Sequence, residues 1–256
     1  MRRLKRLLFL LIVLLISIGV CGCMNAEQDY KEPIYKYLKE KYGCDFVVKK
    51  TTEAFSGNDG RYIYALCESK EHIGEPFDVY CYADDGTKTG DYITLAGETY
   101  IIYEEFAEVF FRNQMKHDIK QRLSDDVFVE CKIQFDCSYA LHYSITEEQF
   151  KMGMETCLND KEFYSYVTVY VVADEKTDME SLQETVESYC SKFNAHEQFL
   201  YFAISPMMEK DAIEQHYGEN PQSFGKHMYD CDLIQHIECT EMNRDTGIVE
   251  RTIEKR

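Results

Sequence analysis

The side chains that could ligate metal, form disulfides or act as acid, base or nucleophile are eleven cysteines, seven histidines and 46 carboxylates. Their spacing argues against most of that chemistry. No CxxC pair occurs, so short-range zinc ligation and thioredoxin-type dithiol exchange have no support. GxSxG, HExxH, Walker and GxGxxG motifs are all absent. His216 and His227 flank Gly218-Glu219-Asn220-Pro221, and Glu214 stands two residues before His216. No metal-ligand spacing matches this group, which reads as polar loop residues. Carboxylates are so numerous that close pairs arise by chance and identify nothing. We therefore assign no catalytic residue, no metal and no cofactor. An enzyme is the less favoured class, since its site would have to assemble from scattered residues.

Two constellations repay closer reading. Residues 61–68 and 77–84 both alternate, and pairing Cys67 opposite Cys81 sorts the two strands into consistent faces. One face then carries Ile63, Ala65, Cys67, Val79, Cys81 and Ala83; the other carries Tyr62, Tyr64, Leu66, Tyr80 and Tyr82. Cys67 and Cys81 are thus either a disulfide or a core pair. Tyr62, Tyr64, Tyr80 and Tyr82 form either an aromatic surface for a glycan or protein, or a layer beneath a helix. Tyr164, Tyr166 and Tyr170 repeat the pattern. Cys131 with Cys137, and Cys231 with Cys239, are evenly spaced and too far apart along one strand to bond, so they read as core. Three or more cysteines converging on one point would instead mark a thiol or metal sensor.

The elements that must position these residues follow from periodicity and punctuation. A helix is expected over about 30–42, with Ile34, Tyr35, Leu38 and Tyr42 on one face, lysines on the other and Gly43 ending it. Strands follow at 45–50, 61–68 and 77–84, then a helix over about 103–123. Ser124-Asp125-Asp126 marks the domain boundary. Beyond it, strands are expected at 127–135, 138–143, 163–173 and 197–204. Thr146-Glu147-Glu148-Gln149 and Thr177-Asp178-Met179-Glu180 read as capping boxes opening helices. The strand–helix–strand order over 163–204 suggests a parallel crossover. A helix from Ser205-Pro206 to about Gly218 precedes a closing hairpin built from 232–239 and 248–253. The expected fold is α+β, in two small helix-plus-sheet domains covering 30–123 and 124–256. The segment Tyr37-Leu38-Lys39-Glu40-Lys41-Tyr42-Gly43 with its following strand resembles the cystatin-like and PepSY-like domains of exported Gram-positive lipoproteins.

The chain opens with Arg2, Arg3, Lys5 and Arg6, then an uncharged apolar run from Leu7 to Val20, then Val20-Cys21-Gly22-Cys23. Charge, apolar run, then a small residue before cysteine is the layout of a secretory signal. The last four residues resemble the lipobox of bacterial lipoproteins, although Cys21 stands where Ala, Ser or Thr is usual. That resemblance implies cleavage before Cys23, a diacylglyceryl thioether on Cys23, residues 1–22 as signal peptide and 23–29 as tether. The competing reading is an uncleaved signal anchor. The run is shorter than the ~20 residues a spanning helix needs, and Glu27 and Asp29 follow it instead of a basic cluster. Both readings place the body outside the cytoplasm, at the membrane.

The formal charge is −18, and removal of four basic and no acidic residues with the signal takes it to about −22. Such a surface repels nucleic acid and anionic headgroups. Nine cysteines remain after Cys23, an odd number. Export favours disulfides, whereas a reducing habitat would leave free thiols. The function class expected is a lipid-anchored, non-enzymatic binding or interaction module of the cell envelope. Its partner would be an envelope protein, a glycan or a small ligand.

Overall fold

A computed structural model describes residues 30–56, 60–84, 90–136, 145–160, 164–204, 236–243 and 248–255. They divide into two compact α+β units, with the division between Glu105 and Phe106. The sequence boundary at 123/124 is corrected by this, because the helix after Glu105 packs into the second unit.

The first unit is one helix and an antiparallel sheet. Helix α1 covers residues 30–42 and buries Ile34 and Leu38 completely. Gly43, at φ +73°, ends it, and its N–H donates to the Lys39 carbonyl (2.9 Å). The strands are β1 (Phe46–Ser56), β2 (Gly60–Ser69), β3 (Pro76–Ala83), β4 (Asp91–Leu95) and β5 (Glu98–Glu104), ordered β1-β2-β3-β5-β4. Three strands were expected, and five are present among the described residues. The two extra strands form a hairpin through Ala96 and Gly97, both at positive φ (+51° and +85°), the pattern of a two-residue primed turn.

The β2–β3 register differs from the expected one by four residues. Cys67 faces Phe77, and Cys81 faces Ile63. The hairpin connection is centred near His72. Gly74, at φ +92°, lies in the returning arm, where its N–H donates to the Glu68 carboxylate (2.6 Å). Pro76, which has no N–H to donate, then opens β3 opposite Glu68. A slip of four is even, so every side chain keeps its face. Ile63, Ala65, Cys67, Val79 and Cys81 are all fully buried together; Ala83 is exposed at the strand end.

The second unit contains α2 (Phe106–Lys120), β6 (Phe128–Asp136), α3 (Glu147–Met152), α4 (Met154–Asn159), β7 (Tyr164–Ala173), α5 (Met179–Cys190), β8 (Glu197–Ile204), β9 (His236–Asn243) and β10 (Ile248–Lys255). The sheet runs β10-β9-β8-β7-β6. Strands β7 and β8 are parallel, as the crossover reading requires, and the other pairs are antiparallel. Ala107, Phe111, Met115 and Ile119 of α2 share one core with Val129, Cys131 and Ile133 of β6. That stripe explains why α2 belongs here.

The first capping box forms as written: Gln149 N–H donates to Thr146 Oγ1 (3.2 Å), and Thr146 N–H donates to Gln149 Oε1 (2.7 Å). Gly153, at φ +88°, splits the expected helix into α3 and α4. The second box is corrected by one residue. Asp178, not Thr177, is the N-cap of α5 and accepts from Ser181 N–H (3.3 Å), while the Thr177 hydroxyl donates to Asp174 (2.9 Å).

Candidate functional site

Period-2 alternation decides what the first sheet offers on each side. Helix α1 lies on the Cys67/Cys81 face: Tyr42 touches Phe46, whose ring meets Phe77 edge-on at 5.9 Å. Tyr62, Tyr64, Tyr80 and Tyr82 therefore point the other way. Of the two readings of this stripe, a layer beneath a helix does not hold for α1. Ring centroids lie 5.4 Å apart for Tyr62 and Tyr82, 5.6 Å for Tyr64 and Tyr80, and 6.4 Å for Tyr80 and Tyr82. Tyr62, Tyr64 and Tyr80 are half-buried. Tyr82 is only 5% exposed and packs with Ile101 and Tyr103, so it anchors the stripe and contributes little surface.

Asp78 sets the electrostatics of this face. Its Oδ1 accepts from the Tyr64 hydroxyl (2.8 Å) and its Oδ2 from the Tyr80 hydroxyl (3.1 Å). Burial, and then the Asp78 carboxylate, push the Tyr64 hydroxyl up to about 12 and raise Tyr80 as well. Both hydroxyls therefore stay protonated at neutral pH and hold the rings in fixed orientation. A packed aromatic surface with a carboxylate at one end, opposite Leu66, offers apolar contact beside a hydrogen-bond acceptor.

The second sheet repeats the arrangement. Val167, Val169 and Val171 enter the core. Tyr164, Tyr166 and Tyr170 alternate to the other face, where Tyr170 stacks on Tyr201 at 5.1 Å. The Tyr164 hydroxyl donates to Glu197 Oε1 (3.2 Å), and its ring stacks on buried His196 at 4.2 Å. His196 Nδ1 accepts from Ser165 N–H (3.2 Å). This histidine is a packed, hydrogen-bonded ring, and sequence reasoning gave it no role.

Cys67 and Cys81 are free thiols. Their offset register removes the direct opposition a disulfide would need, and the core alternative describes them. Burial raises both thiols well above the usual range, as it does Cys131 and, to about 12, Cys190. Such thiols are poor nucleophiles. Among the described residues, no group of three His, Cys, Asp or Glu side chains could hold a metal ion. Cys23, Cys137, His216, His227, Glu214 and Cys231 lie outside the described residues, as does the segment read as a helix from Ser205. Also among the described residues, no helix is long and apolar enough to cross a membrane.

The densest polar cluster of the first unit escaped the sequence reading. Lys41 was placed on the solvent side of α1, yet its ammonium is buried between the helix and the sheet. It donates to Tyr37 Oη (2.9 Å), Glu104 Oε1 (3.0 Å) and Asp91 Oδ2 (3.2 Å), matching its three protons with three acceptors. Tyr37 donates onward to Asp91 Oδ2 (2.6 Å), and Tyr42 donates to Glu104 Oε1. Burial, then Glu104, raise both tyrosine hydroxyls. The Glu104 side chain is 0% exposed, and of the two carboxylates Asp91 reaches solvent. With every donor engaged and no opening at Glu104, the cluster fastens α1 to β4 and β5. The available signal was positional: Lys41 follows Ile34 by seven and Leu38 by three, on the apolar stripe.

No protein-family model matches the chain, and no curated protein matches it. Among solved structures, it is similar to a DUF5037 family protein from Ruminococcus gnavus ATCC 29149. That likeness has 20% identity and a TM-score of 0.48, over 82% of this chain and 90% of that one.

Proposed function

We propose that this protein is a lipid-anchored, non-enzymatic binding module of a bacterial cell envelope, held at the outer face of the membrane through Cys23. The tyrosine face of the first sheet is its contact surface. The observation that carries the binding reading is the orientation of Tyr62, Tyr64 and Tyr80. They pack ring against ring at tilted angles on the face turned from α1 and are half-buried, leaving aromatic surface there that would gain from a partner. The anchor reading is supported by the basic, apolar and Val20-Cys21-Gly22-Cys23 order of the first 23 residues. A glycan or an envelope protein suits this surface best, since ring faces pack on apolar patches while Asp78 accepts from hydroxyl or amide donors.

Two measurements test the halves of the proposal separately. Intact mass of the protein from a bacterial membrane fraction should equal residues 23–256 plus a diacylglyceryl group; an unlipidated full-length mass would remove the anchor. Co-sedimentation with purified cell-wall polysaccharide and pull-down by isolated envelope proteins should both be run on wild type and on Tyr62→Ser/Tyr80→Ser. Retention lost only in the variant supports the tyrosine face. Equal behaviour of the two proteins moves the contact elsewhere.

A further inference from the structure

The second unit has an open cleft of ≈ 660 Å³ lined by Arg122, Glu184, Thr185, Ser188, Tyr189 and Lys192. We propose that it is a phosphate-binding site in which Arg122 and Lys192 hold the anion. This does not depend on the tyrosine face of the first unit.

Three observations converge. Arg122 Cζ and Lys192 Nζ lie 4.7 and 4.0 Å from the centroid of the same Tyr189 ring, so two positive charges meet at one side chain. The ring's negative face offsets their repulsion only in part. Neither cation has a carboxylate partner among the described residues. Arg122 donates one N–H to the Asp118 carbonyl. The Asp118 carboxylate is engaged with the Tyr189 hydroxyl (2.9 Å). Elsewhere in this strongly acidic chain, Lys39, Lys49, Arg61, Lys116 and Lys151 each pair with a carboxylate. Exposed lysines such as Lys50 and Lys176 stand singly among the described residues, so it is the meeting of two such cations at one ring that marks this cleft. Two convergent cations left without a carboxylate are what an anion site requires.

The donor set favours phosphate over a carboxylate. Arg122 keeps guanidinium N–H groups beyond the one it spends on Asp118, Lys192 supplies an ammonium, and the Ser188 hydroxyl adds a neutral donor at the wall. Thr185 already donates to the Ser181 carbonyl (2.8 Å) and serves as wall. Two cations and a hydroxyl match a tetrahedral dianion. Glu184 is the one opposing charge of the lining, so its removal should tighten binding.

Calorimetric titration of the full chain with inorganic phosphate at low ionic strength tests the proposal. Saturable binding is expected, weakened ~10-fold by Arg122→Gln and by Lys192→Gln, kept by Lys192→Arg, and tightened several-fold by Glu184→Gln. Lys176→Gln, elsewhere on the unit, should leave it unchanged. Preference for phenyl phosphate over dimethyl phosphate would point to a free phosphomonoester, and the reverse to a phosphodiester chain. Absence of saturable binding, or equal affinity in the Arg122→Gln and Lys192→Gln proteins, overturns the site.

Discussion

Lys41 illustrates how one side chain sets the tolerance of its surroundings. Its ammonium and the Glu104 carboxylate are both withdrawn from water, so neither can lose its partner without leaving an uncompensated charge. Lys41→Met should destabilise by ~3–5 kcal/mol, read as a lower urea midpoint. Combining it with Glu104→Gln should recover most of that loss, because no buried charge is then left and the remaining carboxylate, Asp91, reaches solvent. A single variant as stable as wild type would show that the pair is not buried in solution. Gly90 makes a second, steric case. A Cβ added there would stand 2.8 Å from Ile101 Cγ2, and Ile101 is fully buried with no room to retreat. Gly90→Ala should therefore cost ~1–3 kcal/mol in the same unfolding measurement. An unchanged midpoint would mean that the backbone at Gly90 is free to move off Ile101.

At the scale of elements, what the sequence made legible depended on which physical signal each element carries. Helix α1 and strands β2, β3, β7 and β8 announce themselves through strong periodicity, and the faces of β2 and β3 survived a wrong register because the slip was even. The tyrosine face was legible for the same reason. The Lys41 cluster was not, since its partners lie 50 and 63 residues away on β4 and β5. Those strands are short, and Tyr92, at 57% exposure, breaks the usual apolar pattern of a strand. Their turn, Ala96-Gly97, also lacks the Asn or Asp that marks such hairpins. That irregularity yields a prediction. Ala96 holds φ +51°, a conformation that costs an L-residue with a Cβ ~1–2 kcal/mol. Ala96→Asn should raise stability by ~0.5–1 kcal/mol, whereas Gly97→Ala, at φ +85°, should lower it by ~1–3 kcal/mol. Thermal unfolding of both variants checks the signs, and a destabilised Ala96→Asn would rule out the primed turn.

For the whole molecule, opposing electrostatic effects set the pH at which the fold is firmest. The Lys39 ammonium and Tyr35 hydroxyl hold Asp45 below the usual carboxylate range; Tyr30 and Arg61 do so for Glu53, and Lys49 and the Gly74 N–H for Glu68. A carboxylate depressed in the folded state contributes stability above its unfolded pKa of ~4 and loses it as pH falls through the folded value. The acid limb should therefore begin near pH 4. Burial raises Tyr64 and Tyr100 to about 12. Their contribution is complete below the unfolded value of ~10 and disappears above it, which sets the alkaline limb. Between these limits the −18 formal charge works against compactness. Protonation of ordinary carboxylates between pH 6 and 4.5 relieves that repulsion before the paired ones titrate. Stability should accordingly rise from pH 7 to about pH 4.5 and fall below about pH 4. Added salt at 0.3 M, which shortens the screening length from ~10 Å at 0.1 M, should raise Tm more at pH 7 than at pH 5. Differential scanning calorimetry across that grid decides the matter: a Tm flat from pH 7 to 5 and indifferent to salt would mean that the acidic surface is spread widely enough for its self-repulsion not to matter.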